Sequence, residues 1–345
     1  MYKTYQEIQS QYPALERALA LAESRCDDAR RLIDRTQPGT ILFLGSGSSY
    51  CLARSLALTA QLNLGIPALA LPAGDCMLHT TRYEETMDGA LVVAISHSGR
   101  TSEVIEATSR LKDMANASVL CLCATEGSEL AALSDMALEM PWCYDTSVCQ
   151  TRAVSCLFAA GMALIAHLAG NEALLEGLKR AVAGGPAYLE RIEPDLAKLA
   201  AQPWKSAVLL ADAEIAGIAS EGALAFQEIA RKPSVHHHLL DLRHGPMVIV
   251  GPETLVIAAL TDGNQYELAL LGDVAKKGAK LVVYSDIPLD GLPDGALNLS
   301  FGRSLPHGAR GLPLILIAQL LAYHRAVADG LDPDHPEGLE PWIRL

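Results

Sequence analysis

The sequence predicts an α/β protein made of two similar halves, each a parallel sheet covered by helices on both faces. Three observations predict this. Short continuous apolar runs alternate with helix-length stretches, the pattern of strands buried on both faces. The second half repeats the order of the first, with about 50 residues between its first two compared strands in each copy. The chain has 345 residues and a mass of 36.7 kDa, which at roughly 150 residues per domain suggests two domains.

The elements follow in order. An opening helix is expected over about residues 4–36, ending before Pro38 and Gly39. A strand, Ile41 to Leu44, runs into the loop GSGSSY, and a helix-like stretch follows from Leu52 to Leu64. Strands are expected at Ala68 to Leu71 and at residues 90–96 (ALVVAIS). The loop SHSGRTSE then leads to helical spacing from Val104 to Met114, a strand SVLCLCA at 118–124, and MALEM. In the second half, SAVLLADAEIAGIASEGAL at 206–224 lies over ILFLGSGSSYCLARSLAL. TLVIAALTDGNQYELALL at 254–271 lies over ALVVAISHSGRTSEVIEA, and KLVVYSD at 280–286 over SVLCLCA. The boundary is expected between 185 and 200. The first domain is then 1–190, with the opening helix and the serine-rich loops, and the second is 191–345, with the candidate acid and base residues.

Composition excludes several classes. A net charge of −13 and a pI near 5.2 argue against nucleic-acid or anionic-membrane partners, which need a basic surface. A small anion held by backbone dipoles stays possible. The longest apolar stretch, AVSCLFAAGMALIAHLAG at 153–170, is at the short limit of a spanning helix, is rich in Ala and Gly and carries His167, so it reads as a core helix. The N-terminus has no secretory signal pattern, and a cytoplasmic protein is expected. All eight cysteines lie in the first half without a C-x-x-C pair and are expected to be free thiols.

Ligands of open parallel sheets bind beyond the carboxyl ends of the strands. There the first half places two small, hydroxyl-rich loops: Gly45, Ser46, Gly47, Ser48 and Ser49, then Ser96, His97, Ser98, Gly99 and Thr101. Backbone N–H groups, hydroxyls and a helix end together suit a phosphate. The second half has ADAEIA and TDGNQ at those ends, and the anion site is read as lost there. Tyr50 stands where a dinucleotide fingerprint wants Gly or Ala, and no G-x-x-x-x-G-K-[ST] motif occurs, so no nicotinamide, ATP or other cofactor is expected.

In residues 220–250, Glu221 and Glu228 are seven apart and share a helix face with Leu224. A carboxylate at the edge of an apolar pocket can act as a base. Pro233 ends that helix, and the turn Arg243-His244-Gly245-Pro246 projects His244. Taken alone, two helical glutamates more often mark a solvated face, and one histidine before Gly-Pro more often an ordinary turn. His236, His237 and His238 lie in an extended stretch where only His236 and His238 share a side; nothing completes a ligand set, and no metal is expected.

The combination of GSGSSY, SHSGRTSE, SVCQTR and EGALAFQEIAR…LRHGP resembles the sugar isomerase (SIS) domain family, as a tandem pair over nearly the whole chain. The resemblance implies two flavodoxin-like three-layer α/β/α domains. It implies that Ser49, Ser96, His97, Ser98 and Thr101 hold a phosphate, with Gly47 and Ser48 in the same loop. The position of His97 is glutamine in the family's synthase branch. Val148 and Gln150, in DTSVCQTRA, match the segment that closes over the sugar. Glu228 matches the base that moves a proton between C1 and C2, Glu221 a second carboxylate near the sugar, and His244 the histidine of ring opening. That histidine reaches the neighbouring subunit's site in relatives, which implies a homodimer with shared sites.

Pro341 stands where synthase-type members carry a tail lysine, and the chain begins MYKTYQ, with no cysteine nucleophile near its start. Transamination and a glutamine-hydrolysing domain are therefore not expected. The implied activity is isomerisation of a 6-phosphorylated ketose or amino sugar by C1/C2 proton transfer, or deamination or deglycation of an amino-sugar or fructosamine 6-phosphate. The alternative is a family member that binds a sugar phosphate only to regulate; the presence of both Glu228 and His244 favours the enzyme.

Overall fold

The computed structural model describes residues 1–340 and 345; Pro341, singled out in the tail, lies outside the described residues. The chain forms two compact units, Gln9–Lys179 with Glu340–Leu345, and Met1–Ile8 with Arg180–Leu339.

The expected opening helix is two helices, α1 (Lys3–Gln9) and α2 (Gln11–Thr36). Pro13 explains the break, since it cannot donate to the carbonyl four residues earlier and its ring crowds that carbonyl. The first unit continues with β1 (Ile41–Gly45), α3 (Ser48–Leu64), β2 (Ala68–Pro72), α4 (Ala73–Leu78), α5 (Thr80–Met87), β3 (Leu91–Ser96), α6 (Ser102–Ala115), β4 (Ser118–Cys123), α7 (Glu129–Leu133), β5 (Met136–Glu139) and α8 (Arg152–Ala169). Its sheet is parallel, in the order β2-β1-β3-β4-β5. Side chains alternate across it. Leu42, Leu44, Val92, Ala94, Val119 and Cys121 pack with Val104, Ala107 and Leu111 of α6 and with residues of α4, α5 and α7. Ile41, Phe43, Leu91, Val93, Leu120 and Leu122 face Ile33 of α2 and Leu164 and Ile165 of α8. Burial on both faces is why these strands read as unbroken apolar runs.

A long helix α9 (Glu172–Ala200) leads into the second sheet: β6 (Ser206–Leu210), α10 (Ala216–Glu228), β7 (Ser234–His237), β8 (Thr254–Ala259), α11 (Gln265–Lys276), β9 (Lys280–Ser285), β10 (Leu297–Ser300) and α12 (Gly311–Ala328). The order β10-β9-β8-β6-β7, again parallel, repeats the first sheet strand for strand. Val208, Leu210, Val256, Ala258 and Val283 pack with Leu270, Leu271 and Val274 of α11. On α10, a side chain at Gly222 would meet Leu209 at 2.7 Å and Ala318 at 2.9 Å, so this helix lies tightly between β6 and α12. The backbone N–H groups of Lys3 and Thr4 donate to the Asp334 carboxylate at 2.9 and 2.8 Å.

Segments 152–169 and 307–328 are long and apolar enough to cross a membrane, but 78% of the most apolar 18-residue stretch of each is buried inside the protein, as in core helices. All eight cysteines are free thiols.

Candidate functional site

With the strand order 2-1-3-4-5, the crevice of the first sheet opens between the carboxyl ends of β1 and β3. Leu44 pairs with Ala94, so the turns after the two strands leave the sheet at the same level. In the first turn, a side chain on Gly45 would lie 2.5 Å from the backbone carbon of Ser49. Only glycine lets α3 fold down so closely. Ser48 and Ser49 are buried and form the first turn of α3, which starts four residues before the expected Leu52. Both serines therefore sit at the positive end of a helix rather than in a loop.

The second turn is built around hydroxyls. Ser96 Oγ accepts the Gly99 N–H at 3.0 Å and lies 3.2 Å from Thr101 Oγ1. Ser98 Oγ accepts the Arg100 N–H at 3.1 Å. Gly99 has φ +63, and a Cβ there would fall 2.2 Å from Ser128 Oγ. Ser128 caps α7 and holds the outside of the turn, a role not read from the sequence.

His97 is 8% exposed and stacks on Tyr144, ring centroids 4.4 Å apart. Its Nε2 accepts the Asp145 N–H at 3.2 Å. Burial, and then the nearby Arg152 cation, depress its pKa to about 4. The neutral ring thus carries its proton on Nδ1 and offers one donor without charge. Because the folded pKa lies below the unfolded value of 6.5, the unfolded chain binds the extra proton between those two values, and stability falls as pH drops from 6.5 to 4. The expected slope is about 1.4 kcal/mol per pH unit at most. Thermal unfolding across that range should show this component in the native chain and not in His97→Gln.

Asp145 organises the strap that carries Val148 and Gln150. Its buried carboxylate accepts the N–H groups of Thr151 and Ala153 at 2.8 and 2.9 Å, capping α8 from outside, and lies 3.5 Å from Arg152 Nε. Arg152 also donates to the Tyr144 carbonyl at 2.7 Å. Residues 144–153 are therefore tied both to His97 and to the start of α8. Val148 and Gln150 are half-buried within this strap. Asp145, Tyr144 and Arg152 were not singled out in the sequence; the one signal was a lone Asp shortly before a helix.

In the second unit, Glu221 is buried on α10, while Glu228 ends that helix and is half-buried. Gln227 Nε2 donates to the Ser234 carbonyl at 2.7 Å, which ties the last turn of α10, where Glu228 lies, to the first residue of β7 at the amino edge of the sheet. His244 is exposed between two short 3-10 turns, Leu240–Arg243 and Pro246–Ile249. Its ring bonds to no described residue, so the chain does not join it to either glutamate. His236 and His238 point to one side, donating to the Ala211 carbonyl at 2.9 Å and the Asp212 carboxylate at 2.8 Å.

The carboxyl edge of this second sheet holds its own anion. Glu267, 4% exposed, accepts the N–H groups of Thr261, Asp262 and Asn264 at 2.7, 3.2 and 3.1 Å, and Asn264 completes a capping box. The turn corresponding to SHSGRTS is filled by the chain's own carboxylate. Glu267→Ala is expected to cost about 1–2 kcal/mol, the scale of a lost helix cap, measurable as a lower denaturant midpoint.

A family model described as SIS domain matches residues 36–167. The chain is 28% identical over 319 residues to the glutamine–fructose-6-phosphate aminotransferase (isomerizing) of Acidithiobacillus ferridurans, covering 87% of this chain and 50% of that protein. The Shewanella oneidensis protein of the same description is 27% identical over 272 residues, 75% of this chain and 44% of its own. The chain spans about half the length of these relatives. The crystal structure of glucosamine-6-phosphate deaminase from Thermotoga maritima superposes with a TM-score of 0.82 at 26% identity, covering 99% of this chain and 100% of that one. Tagatose-6-phosphate ketose/aldose isomerase from Escherichia coli shares the fold, with a TM-score of 0.86 at 21% identity and coverage of 99% and 97%.

Proposed function

From the match of a SIS-domain model to residues 36–167, we propose that this chain is a SIS-domain protein and a phosphosugar isomerase-type enzyme acting on a 6-phosphorylated ketose or amino sugar. The observation that carries the reading is the β1/β3 crevice, with Ser96 and Thr101 hydroxyls 3.2 Å apart beside the neutral, buried His97. Uncharged donors at the end of a helix are what a phosphate ester needs. In this reading the second sheet belongs to a second SIS domain, each domain being a three-layer α/β/α unit, with 1–190 binding phosphate and 191–345 supplying acid–base chemistry in a cytoplasmic enzyme. The likeness to the Thermotoga deaminase over the whole of both chains supports an amino-sugar phosphate among the substrates.

The phosphate sits across Ser49, Ser96, His97, Ser98 and Thr101, with Gly47 and Ser48 giving backbone access and Val148 and Gln150 closing over the sugar. His244 transfers the proton that opens the ring. Glu228 takes the proton from one of C1 and C2 and returns it to the other, and Glu221 lies beside it as a second carboxylate. When C2 carries nitrogen, proton transfer leaves an imine that water hydrolyses, with release of ammonia. When nitrogen on C1 bears an amino acid, the same carbon chemistry leads to deglycation. Remote phosphate binding orients the reacting end.

His244 serves the site of a second subunit in a homodimer. Its free ring is flanked by strongly exposed apolar side chains, Val248 at 84% and Ile249 at 54%, which an isolated chain would leave in water. Val248→Asp is expected to shift the protein to monomer in sedimentation analysis and to lower activity with it.

Proton and phosphorus NMR in D₂O tests the reading, using fructose, tagatose, glucosamine, galactosamine and amino-acid-conjugated fructosamine 6-phosphates. A new product, or deuterium at C1 or C2, is expected. Binding shifts without exchange or turnover for every sugar would instead favour a regulatory sugar-phosphate sensor.

A further inference from the structure

We propose that the cleft at the carboxyl ends of β3, β4 and β5 binds a small zwitterion, an α-amino acid with an apolar side chain. The inference goes beyond the sugar-phosphate reading and would stand without it. The cleft has a volume of about 320 Å³. That is the low end of small-molecule clefts, which run from about 300 to 1,000 Å³; it accommodates an amino acid and is cramped for a nucleotide sugar.

Its chemistry is that of a zwitterion's complement. Arg100 and Glu126 both line it, and both are exposed. Among the described residues neither side chain has a hydrogen bond or ion pair, with the other or with anything else. The guanidinium fork matches a carboxylate. The Glu126 carboxylate takes an ammonium. The rest of the wall, Ala124, Pro141 and the Tyr144 ring, is apolar and suits a hydrocarbon side chain.

The cleft is also wired to the β1/β3 crevice. Ser98 lines it and accepts the Arg100 N–H, so the serine turn is its border. Tyr144 lines it and stacks on His97, and the next residue's N–H holds His97 Nε2. A ligand that moves Arg100 or Tyr144 changes the geometry offered to the phosphate. Occupancy of the cleft therefore alters sugar-phosphate affinity, and by linkage the reverse.

Calorimetric titration of the full chain with L-leucine tests the proposal, beside N-acetyl-L-leucine, which lacks the ammonium, and leucinol, which lacks the carboxylate. Binding of one L-leucine per chain is expected. Each analogue, and each of Arg100→Ala and Glu126→Ala, should weaken it about tenfold or more, the scale of a lost charge-assisted hydrogen bond. Saturating L-leucine should also shift the dissociation constant of fructose 6-phosphate. Absence of L-leucine binding at tens of millimolar would overturn the proposal. So would equal binding by both analogues, which needs no variant to fold, or binding unchanged in Arg100→Ala and Glu126→Ala. Binding of uridine monophosphate without any amino acid would make this a nucleotide cleft and overturn it too.

Discussion

Glu228→Gln is expected to lower turnover by about 10²- to 10⁴-fold, the usual share of one general base, while sugar-phosphate affinity stays within a few-fold. The amide keeps the size and hydrogen-bonding reach of the carboxylate and loses only its capacity to take a proton. Glu228 is the last residue of α10, whose final turn is tied through Gln227 to the amino edge of its sheet. The serine turns belong to the other sheet and to its carboxyl edge. The substitution changes no residue of the phosphate cradle, and the effect should fall on kcat rather than on KM. Single-turnover assays with deuterated substrate check this, because loss of hydrogen exchange must accompany loss of product. Retained exchange at native rate would remove Glu228 from the proton path.

Asp145→Ala is expected to destabilise the fold by about 3–5 kcal/mol, the cost of leaving a buried ionic partner unmatched. The carboxylate holds two N–H groups at the start of α8 and faces Arg152 Nε, whose side chain is only 19% exposed. The loss should reach the candidate site as well. Without this cap the strap bearing Val148 and Gln150 loses its carboxylate anchor at α8 and leans on the Arg152–Tyr144 bond, and the peptide that holds His97 Nε2 is loosened. A raised KM with kcat less affected is the expected signature, with unfolding midpoints measured in parallel. Asp145→Asn, which keeps one acceptor oxygen, should recover part of the stability.

These cases show what a sequence discloses. The strands were legible because both faces of each sheet are covered, and a covered strand writes itself as an unbroken apolar run. The start of α3 was misplaced because Ser48 to Cys51 are small or polar, and nothing local distinguishes a helical first turn from a loop. The break at Ser10 was missed, although Pro13 marks it: its effect falls on the carbonyl four residues back. The serine turns were readable as a composition. The burial of His97 was not, since it depends on Tyr144 and Asp145 arriving from 47 and 48 positions further along. Asp145 itself looked like any loop aspartate. Its partners are set by the course of the chain after β5, and no pattern of spacing encodes that.

Glu267 bears on what duplication of such a unit produces. The carboxylate reaches its three N–H donors from the first turn of the helix they precede, so it is a ligand joined to its receptor by covalent bonds. A tethered group of this kind competes at an effective concentration in the millimolar range or above, and a diffusing oxyanion has no entropy advantage over it. Two sheets of identical strand order thus do not yield two equivalent receptors. One turn stays open to exchange with solvent, and its counterpart is permanently occupied by the polypeptide, converted from recognition element to internal brace.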